Sequence, residues 1–416
     1  IGRPLLATGY LSAVGRGFTQ VDATVTSLEN DLNLEGFDLT VNAPLSASGD
    51  LSISFGDLYS ESFEPDDGVA RINSPLSAGG RVFYYGGAGF NDLLTFEEFS
   101  EGPVTLFLDD LFGIENVDGS ASGEDRVHGF GDGSVFEITG EDRFSTDETD
   151  FFSFENLSGG DGNDRFVFLP GGRLSGSIDG GKGDNVFDYS SYDRPVSILF
   201  DKTATGVGGN ASRIGQIIAP ASGRNVFTGP DRGLDYRITG KNTFETSGFR
   251  VSGFSVLRGG SGDDRFLFDS NGSLSGSIDG GDGKDTLSYA GRSRAVTVRI
   301  GPNTATGFDG GFSSIERIVG SRAGDRFRFT RQATLSFIDG RGGFDRIEID
   351  DSRLKGENTY TISPGRVSRN PLYRFDGFES LRLFLGPGTN TVNSRFLSES
   401  QYLYGGRGFN TLNLPG

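Results

Sequence analysis

The stretch that decides the fold runs from Leu157 to Tyr189 and reads LSGGDGNDRFVFLPGGRLSGSIDGGKGDNVFDY. It holds two Gly-Gly-x-Gly turns, each followed by Asp or Asn and then by a short alternating run such as Arg165, Phe166, Val167, Phe168. Nearly the same text returns at Leu257 to Tyr289, LRGGSGDDRFLFDSNGSLSGSIDGGDGKDTLSY. Alternation places Phe166 and Phe168 on one face of a strand and Arg165 on the other. A single strand of this kind cannot bury its Phe row. Strands stacked in parallel at ~4.8 Å can, and they complete one another's main-chain ladders as they do so. The glycines supply the tight corners between them.

Outward from this stretch, an offset of 100 residues matches Ile114 with Ile214, Ile138 with Ile238 and Phe154 with Phe254. It also matches Asp164 with Asp264, Ile178 with Ile278 and Val196 with Val296. The phrase TATG at Thr203 returns at Thr304, one residue out of step. A finer spacing joins the acidic or amide residues that follow the turns: Asn91, Asp125, Asp164, Asn185, Asn225, Asp264, Asp285, Asp325, Asp345, Asn390 and Asn410. Their gaps fall near twenty or twice twenty, which predicts coils of about 20 residues with the turn occupied or skipped in each. Residues 1–70 lack the turn but alternate at Leu32, Leu34, Leu39, Val41, Leu51 and Ile53. The acidic segment Gly56 to Ala70 reads as a junction, and an insertion falls around Arg331 to Lys355. The expected fold is therefore all-β, a right-handed parallel β-solenoid of the β-helix or β-roll kind. Residues 1–70 form its first coils or cap, and residues 71–416 carry the repeat.

Composition narrows the function. The 67 glycines have no period of three and only 14 prolines accompany them, which argues against collagen. A net charge of −19 disfavours nucleic acid and anionic membranes as partners. Only five of the 38 basic residues are lysines, a bias that suits a salty environment and that a GC-rich genome also produces. There is no cysteine, so neither disulfides nor thiol-held metals are available. No run approaches the roughly 18 apolar residues of a membrane span. The first residue is Ile and no leader-like segment follows it, so a processed form or a fragment is expected.

Three turns, GGDGNDRFV at Gly159, GGSGDDRFL at Gly259 and GGDGKDTLS at Gly280, resemble the nonapeptide of RTX (repeats-in-toxin) proteins. That resemblance implies a parallel β-roll, secretion, and folding driven by Ca²⁺. It nominates Asp164, Asp264 and Asp285 as ligands, with Asp161, Asp263 and Asp282 nearby. RTX turns run in tandem every nine residues, whereas these are about twenty or more apart, and at Asn91, Asn185, Asn225, Asn390 and Asn410 the key residue is an uncharged amide. Read from the residues alone, the same positions also make a metal-free ladder, with stacked Asp and Asn bonding the backbone at the corners. Both readings stay open at this point. The longer unit, with its GxxYxI…GFxxL and DYSSYxxPVxIxF…TATG phrases, is similar to repeats of large bacterial surface proteins such as cyanobacterial and planctomycete adhesin-like exoproteins.

The one histidine, His128, has no partner for catalysis in its local sequence and reads as a turn residue. Asp193 with Arg194 is a weak surface candidate. Arg165 and Arg265 recur at matched positions, as a structural ladder would and a single active site would not. The expectation is a non-enzymatic extracellular structural protein: a calcium-stabilised subunit of a cell-surface filament, sheath or layer, self-associating end to end. The alternatives are an adhesin stalk or a carbohydrate-binding module for cell-surface polysaccharide, and a carbohydrate-active β-helix enzyme. A binding module would expose an aromatic platform, for which Tyr84, Tyr85, Tyr402 and Tyr404 are the candidates. Against it, alternation would turn one tyrosine of each pair inward.

Overall fold

The computed structural model describes residues 5–7, 11–21, 25–27, 31–55, 68–78, 81–87, 91–147, 149–200, 202–330, 335, 337–368, 372–395 and 400–414. Most of the acidic junction after Phe55, and residues 331–334 and 336 of the insertion, lie outside these. Among the described residues the regular elements are β-strands, apart from one 3₁₀ turn at Leu108–Asp110. Most strand pairs are parallel and join residues 20 to 34 apart in sequence, the pairing of a β-solenoid. The chain divides into two compact units, residues 1–194 with 201–220, and residues 195–200 with 221–416.

In the first unit Leu32–Val41 pairs in parallel with Leu11–Val21, Leu51–Phe55 and Val69–Ile72, so the segment without Gly-Gly turns stacks with the coils that follow it. Leu32, Leu34, Leu39, Val41, Leu51 and Ile53 are all buried, as their alternation requires. Further along, each coil crosses two sheets in turn. One contains Arg126–His128, Asn156–Ser158, Ile178–Asp179 and Ala211–Ser212; the other contains Val135–Gly140, Arg165–Phe168, Val186–Asp188 and Gln216–Ile218.

Coil length varies for a visible reason. Arg165 pairs with Val186, 21 residues on, but Val135 pairs with Arg165, 30 residues on. The longer coil contains an antiparallel excursion in which Val135–Gly140 turns back on Arg143–Ser145, which turns back on Asp150–Phe152. The second unit repeats this with Asp235–Gly240, Thr243–Thr246 and Phe249–Ser252. Asp142 and Asn242 turn the first corner at φ of 48° and 53°, a left-handed geometry that Asp and Asn tolerate better than most residues.

The Phe row is the core. Phe166 and Phe168 are buried while Arg165 between the coils is exposed, so the strand register is the one that alternation dictates. Phe136 stacks on Phe166 at 5.2 Å and Phe168 on Tyr189 at 4.3 Å. In the second unit Tyr236 stacks on Phe266 at 5.0 Å and Phe268 on Tyr289 at 5.4 Å. Outside, Arg165 reaches Asp188 on the next strand, and Arg328 reaches Asp350 at 2.6 Å.

Candidate functional site: the buried corner ladder

The six aspartates nominated at the turns fall into two sets. Asp164, Asp264 and Asp285 are buried; Asp161, Asp263 and Asp282 are exposed. In the exposed set Asp161 pairs with Lys182 at 2.7 Å, and Asp263 Oδ1 accepts the Lys284 N–H at 2.8 Å. The buried set does something else. Each aspartate precedes a strand, and its Oδ1 accepts a main-chain N–H from the equivalent corner of the neighbouring coil.

These bonds form columns. In the first unit Ser134 N–H donates to Asp164 Oδ1 at 2.8 Å, and Asp164 N–H donates to Asn185 Oδ1 at 2.9 Å. A second column runs from Val104 N–H to Asp125 Oδ1, then from Asp125 N–H to Glu155 Oε2, at 2.7 and 2.9 Å. In the second unit Leu234 N–H, Asp264 and Asp285 follow one another at 2.8 Å per step, and Asp285 N–H ends on Glu316 Oε2 at 2.9 Å. A further column steps from Val296 N–H through Asp325 and Asp345 to Glu379 Oε2. A buried main-chain N–H that would lack a partner where a strand begins is thus satisfied by a side chain from the next coil.

Gaps near forty pass over corners that carry neither Asp nor Asn: between Asp125 and Asp164 these are Ser134, before Val135–Gly140, and Glu155, before Asn156–Ser158. One sequence expectation changes here. At the corner before Leu93–Thr95 the buried residue is Asp92, whose N–H donates to Glu115 Oε2 at 2.8 Å, while Asn91 is exposed. The glutamates that close columns, Glu115, Glu155, Glu316 and Glu379, were not singled out by the turn motif. Their signal is a bulky apolar residue followed by Glu just before a strand: Ile114, Phe154, Ile315 and Phe378 precede them.

The second atom of each corner side chain sorts the corners into three kinds. Where the residue is Asn, Nδ2 donates: Asn185 Nδ2 reaches the Lys182 and Arg213 carbonyls at 3.0 Å each, and Asn225 Nδ2 the Gly253 carbonyl at 2.8 Å. Where the turn carries Ser, Oδ2 accepts: Ser120 N–H reaches Asp125 Oδ2 at 2.5 Å and Ser321 N–H reaches Asp325 Oδ2 at 2.6 Å. Where neither applies, at Asp164, Asp264, Asp285 and Asp345, Oδ2 is buried without a hydrogen-bond partner. It fills the space where a Cβ on the first turn glycine would stand, so Gly159, Gly259 and Gly280 can carry no side chain. The Gly180 and Gly280 carbonyl oxygens of the following coil crowd the same space at Gly159 and Gly259, and the Ser314 carbonyl does so at Gly280.

Burial drives the protonation of these groups. Desolvation pushes Asp264 and Asp285 up to about 6 and Asp345 up to about 7, and neighbouring carboxylates add to the effect. Asp164 rises for the same reason, against the pull of the Ser134 N–H. Burial also pushes Glu155 up to about 7. Placed beside a carbonyl, a protonated Oδ2 becomes a donor and does what Asn185 Nδ2 does.

Calcium takes six to eight oxygen ligands. Each corner of the third kind turns one unbonded carboxylate oxygen and one carbonyl oxygen toward a common space. Among the described residues no group of three or more His, Cys, Asp or Glu side chains is gathered to hold a metal. Each such corner thus ties one carboxylate oxygen into the ladder and leaves the other beside a carbonyl oxygen.

The remaining candidates sit apart from the ladder. His128 lies on the strand Arg126–His128, half-buried, with its ring on Phe107 at 4.6 Å, so it is a strand residue and not a turn residue. Asp193 and Arg194 are exposed and 3.9 Å apart. Tyr84 faces inward and Tyr85 outward, as alternation predicts, but Tyr402 and Tyr404 both face outward because they are two residues apart on one strand. Tyr404 stacks on Phe384 at 4.5 Å. No described helix is long and apolar enough to cross a membrane. Neither a protein family model nor a curated protein sequence matches this chain.

Proposed function

We propose that the chain is an extracellular structural protein, a right-handed β-solenoid that serves as a subunit of a cell-surface filament, sheath or layer and joins its neighbours by adding coil to coil. The observation that carries this reading is the repetition of one device. In each unit a buried corner bond from side chain to main chain and an inward apolar row, largely aromatic, recur through successive coils, so a further coil of the same kind would find donors, acceptors and apolar surface in register. The short coils of 20 to 21 residues set the basic unit, and the antiparallel excursions lengthen it. Electron microscopy of the purified chain tests the proposal. Filaments or sheets are expected; a monodisperse monomer at every concentration would defeat it.

A second reading, calcium stabilisation, draws on the unbonded Oδ2 atoms of Asp164, Asp264 and Asp285 and the carbonyls beside them. It predicts that a chelator lowers the melting temperature, by linkage worth roughly 2.7 kcal/mol per site at hundredfold saturation. A melting curve that ignores both chelator and added calcium leaves the hydrogen-bonded ladder as the whole account.

A further inference from the structure

One place in the first unit breaks the repetition. The parallel set Leu5–Ala7, Val25–Ser27, Leu45–Ala47 and Leu76–Ala78 forms one sheet, and Thr105–Phe107 opens a separate one. On the other side of the coils pairing runs on, since Val82–Tyr85 pairs with Leu111–Phe112 and Val69–Ile72 with Leu93–Thr95. Interrupted on one side only, the stack gapes, and a cleft of about 580 Å³ lies between Leu76 and Leu106. That volume is in the range of small-molecule sites.

Its rim is chemically mixed. Arg81 forms an ion pair with the buried Asp110, and the exposed Asp109 lies beside them. Phe107 presents an exposed ring face whose other side rests on His128, nearly parallel at 12°. Neutralised by Asp110, Arg81 keeps spare N–H donors, while Asp109 offers acceptors alongside. A rim that both donates and accepts, next to a rigid apolar ring, suits a ligand with hydroxyl groups on its edge and C–H groups on its faces. An anion would meet Asp109 and the chain's −19 charge, and Arg81, already paired with Asp110, leaves no free positive charge to hold it. We infer that this cleft is a binding site for a neutral oligosaccharide, with one sugar ring stacked on Phe107 and its hydroxyls held by Arg81 and Asp109.

Isothermal titration tests this with cellohexaose, maltohexaose, xylohexaose and mannohexaose as probes and hexagalacturonate as the acidic control. At least one neutral probe should bind. Phe107→Ala should weaken it about tenfold, the worth of one aromatic stacking contact, and Asp109→Asn should weaken it as well. Both side chains are exposed, so each variant should melt as the parent does. Phe409→Ala, at the most exposed phenylalanine among the described residues of the second unit, should leave binding unchanged. The inference fails if no neutral probe binds, if hexagalacturonate binds more tightly than all of them, or if Phe107→Ala binds as well as the parent. Filament formation is read separately, so either idea can fall without the other.

Discussion

At the residue scale, the corner side chain must satisfy an N–H from one coil with one atom and find a partner for its second atom. Asn does both; Asp beside glycine does both only when protonated. The sign of the pH dependence follows. Asp264, Asp285 and Asp345 have folded pKa values of about 6 to 7, above the ordinary carboxylate value that they recover on unfolding. Between those values the native chain holds more protons than the unfolded one, so stability falls as pH rises from about 4 to about 7 and is level above that. Asp179, Asp188 and Asp350 oppose this. Serine or glycine N–H bonds and arginine partners hold their pKa values down despite burial, so their contribution is lost only as pH falls below the ordinary carboxylate range. The melting temperature should accordingly be higher at pH 5 than at pH 8. Asp285→Asn, which copies Asn185, should raise the melting temperature at pH 8 and reduce its slope with pH. If instead Asp285→Asn lowers it at pH 8 and abolishes a calcium response, the carboxylate is a ligand and the ladder is secondary.

At the scale of the element, the strands carry their stability on the inward row. Phe166 lies between Phe136 and Phe187 and is fully buried. Phe166→Ala should cost about 3–5 kcal/mol, read from chemical denaturation, because a narrow stack cannot collapse around the cavity. Arg165→Ala should cost less: its guanidinium is half exposed and its pairing with Asp188 is screened, and Ser190 N–H still bonds that carboxylate at 2.8 Å. An arginine change more damaging than the phenylalanine change would mean that outer ion pairs hold the coils together.

This row was legible in the sequence because a period of two leaves only one assignment of Phe166 and Phe168 once Arg165 is placed outside. The corner position of Asp164, Asp264 and Asp285 was legible but not their burial or role, since a turn aspartate reads alike whether it binds metal or backbone. The closing glutamates were hidden because Glu316 meets Asp285 from 31 residues away, through a register that no local motif encodes. The antiparallel excursions were hidden too. Arg143–Ser145 and Asp150–Phe152 each read as a short strand like any other, and only the pairing shows that they turn back within one coil.

At the scale of the whole molecule, the question is what meets the coil Asn410–Asn413. Its strand pairs in parallel with Asn390–Ser394 on one side. Leu412 and Leu414 are about half exposed, at 49% and 52%, although the equivalent Val392 one coil earlier is buried. A further coil packed on this strand would cover both leucines and pair with its main chain. In the proposed filament that neighbour is a second copy, whose N-terminal strands within residues 1–56 supply the next coil and make a head-to-tail, non-closing contact. Leu412→Asp with Leu414→Asp should abolish filaments in electron micrographs and leave the melting curve of the dispersed chain nearly unchanged, because neither side chain is part of the buried core. Removal of residues 402–416 should abolish them as well, at some loss of stability from uncovering Leu383. Filaments of unaltered length and number in the double-aspartate variant would place the joint elsewhere on the molecule.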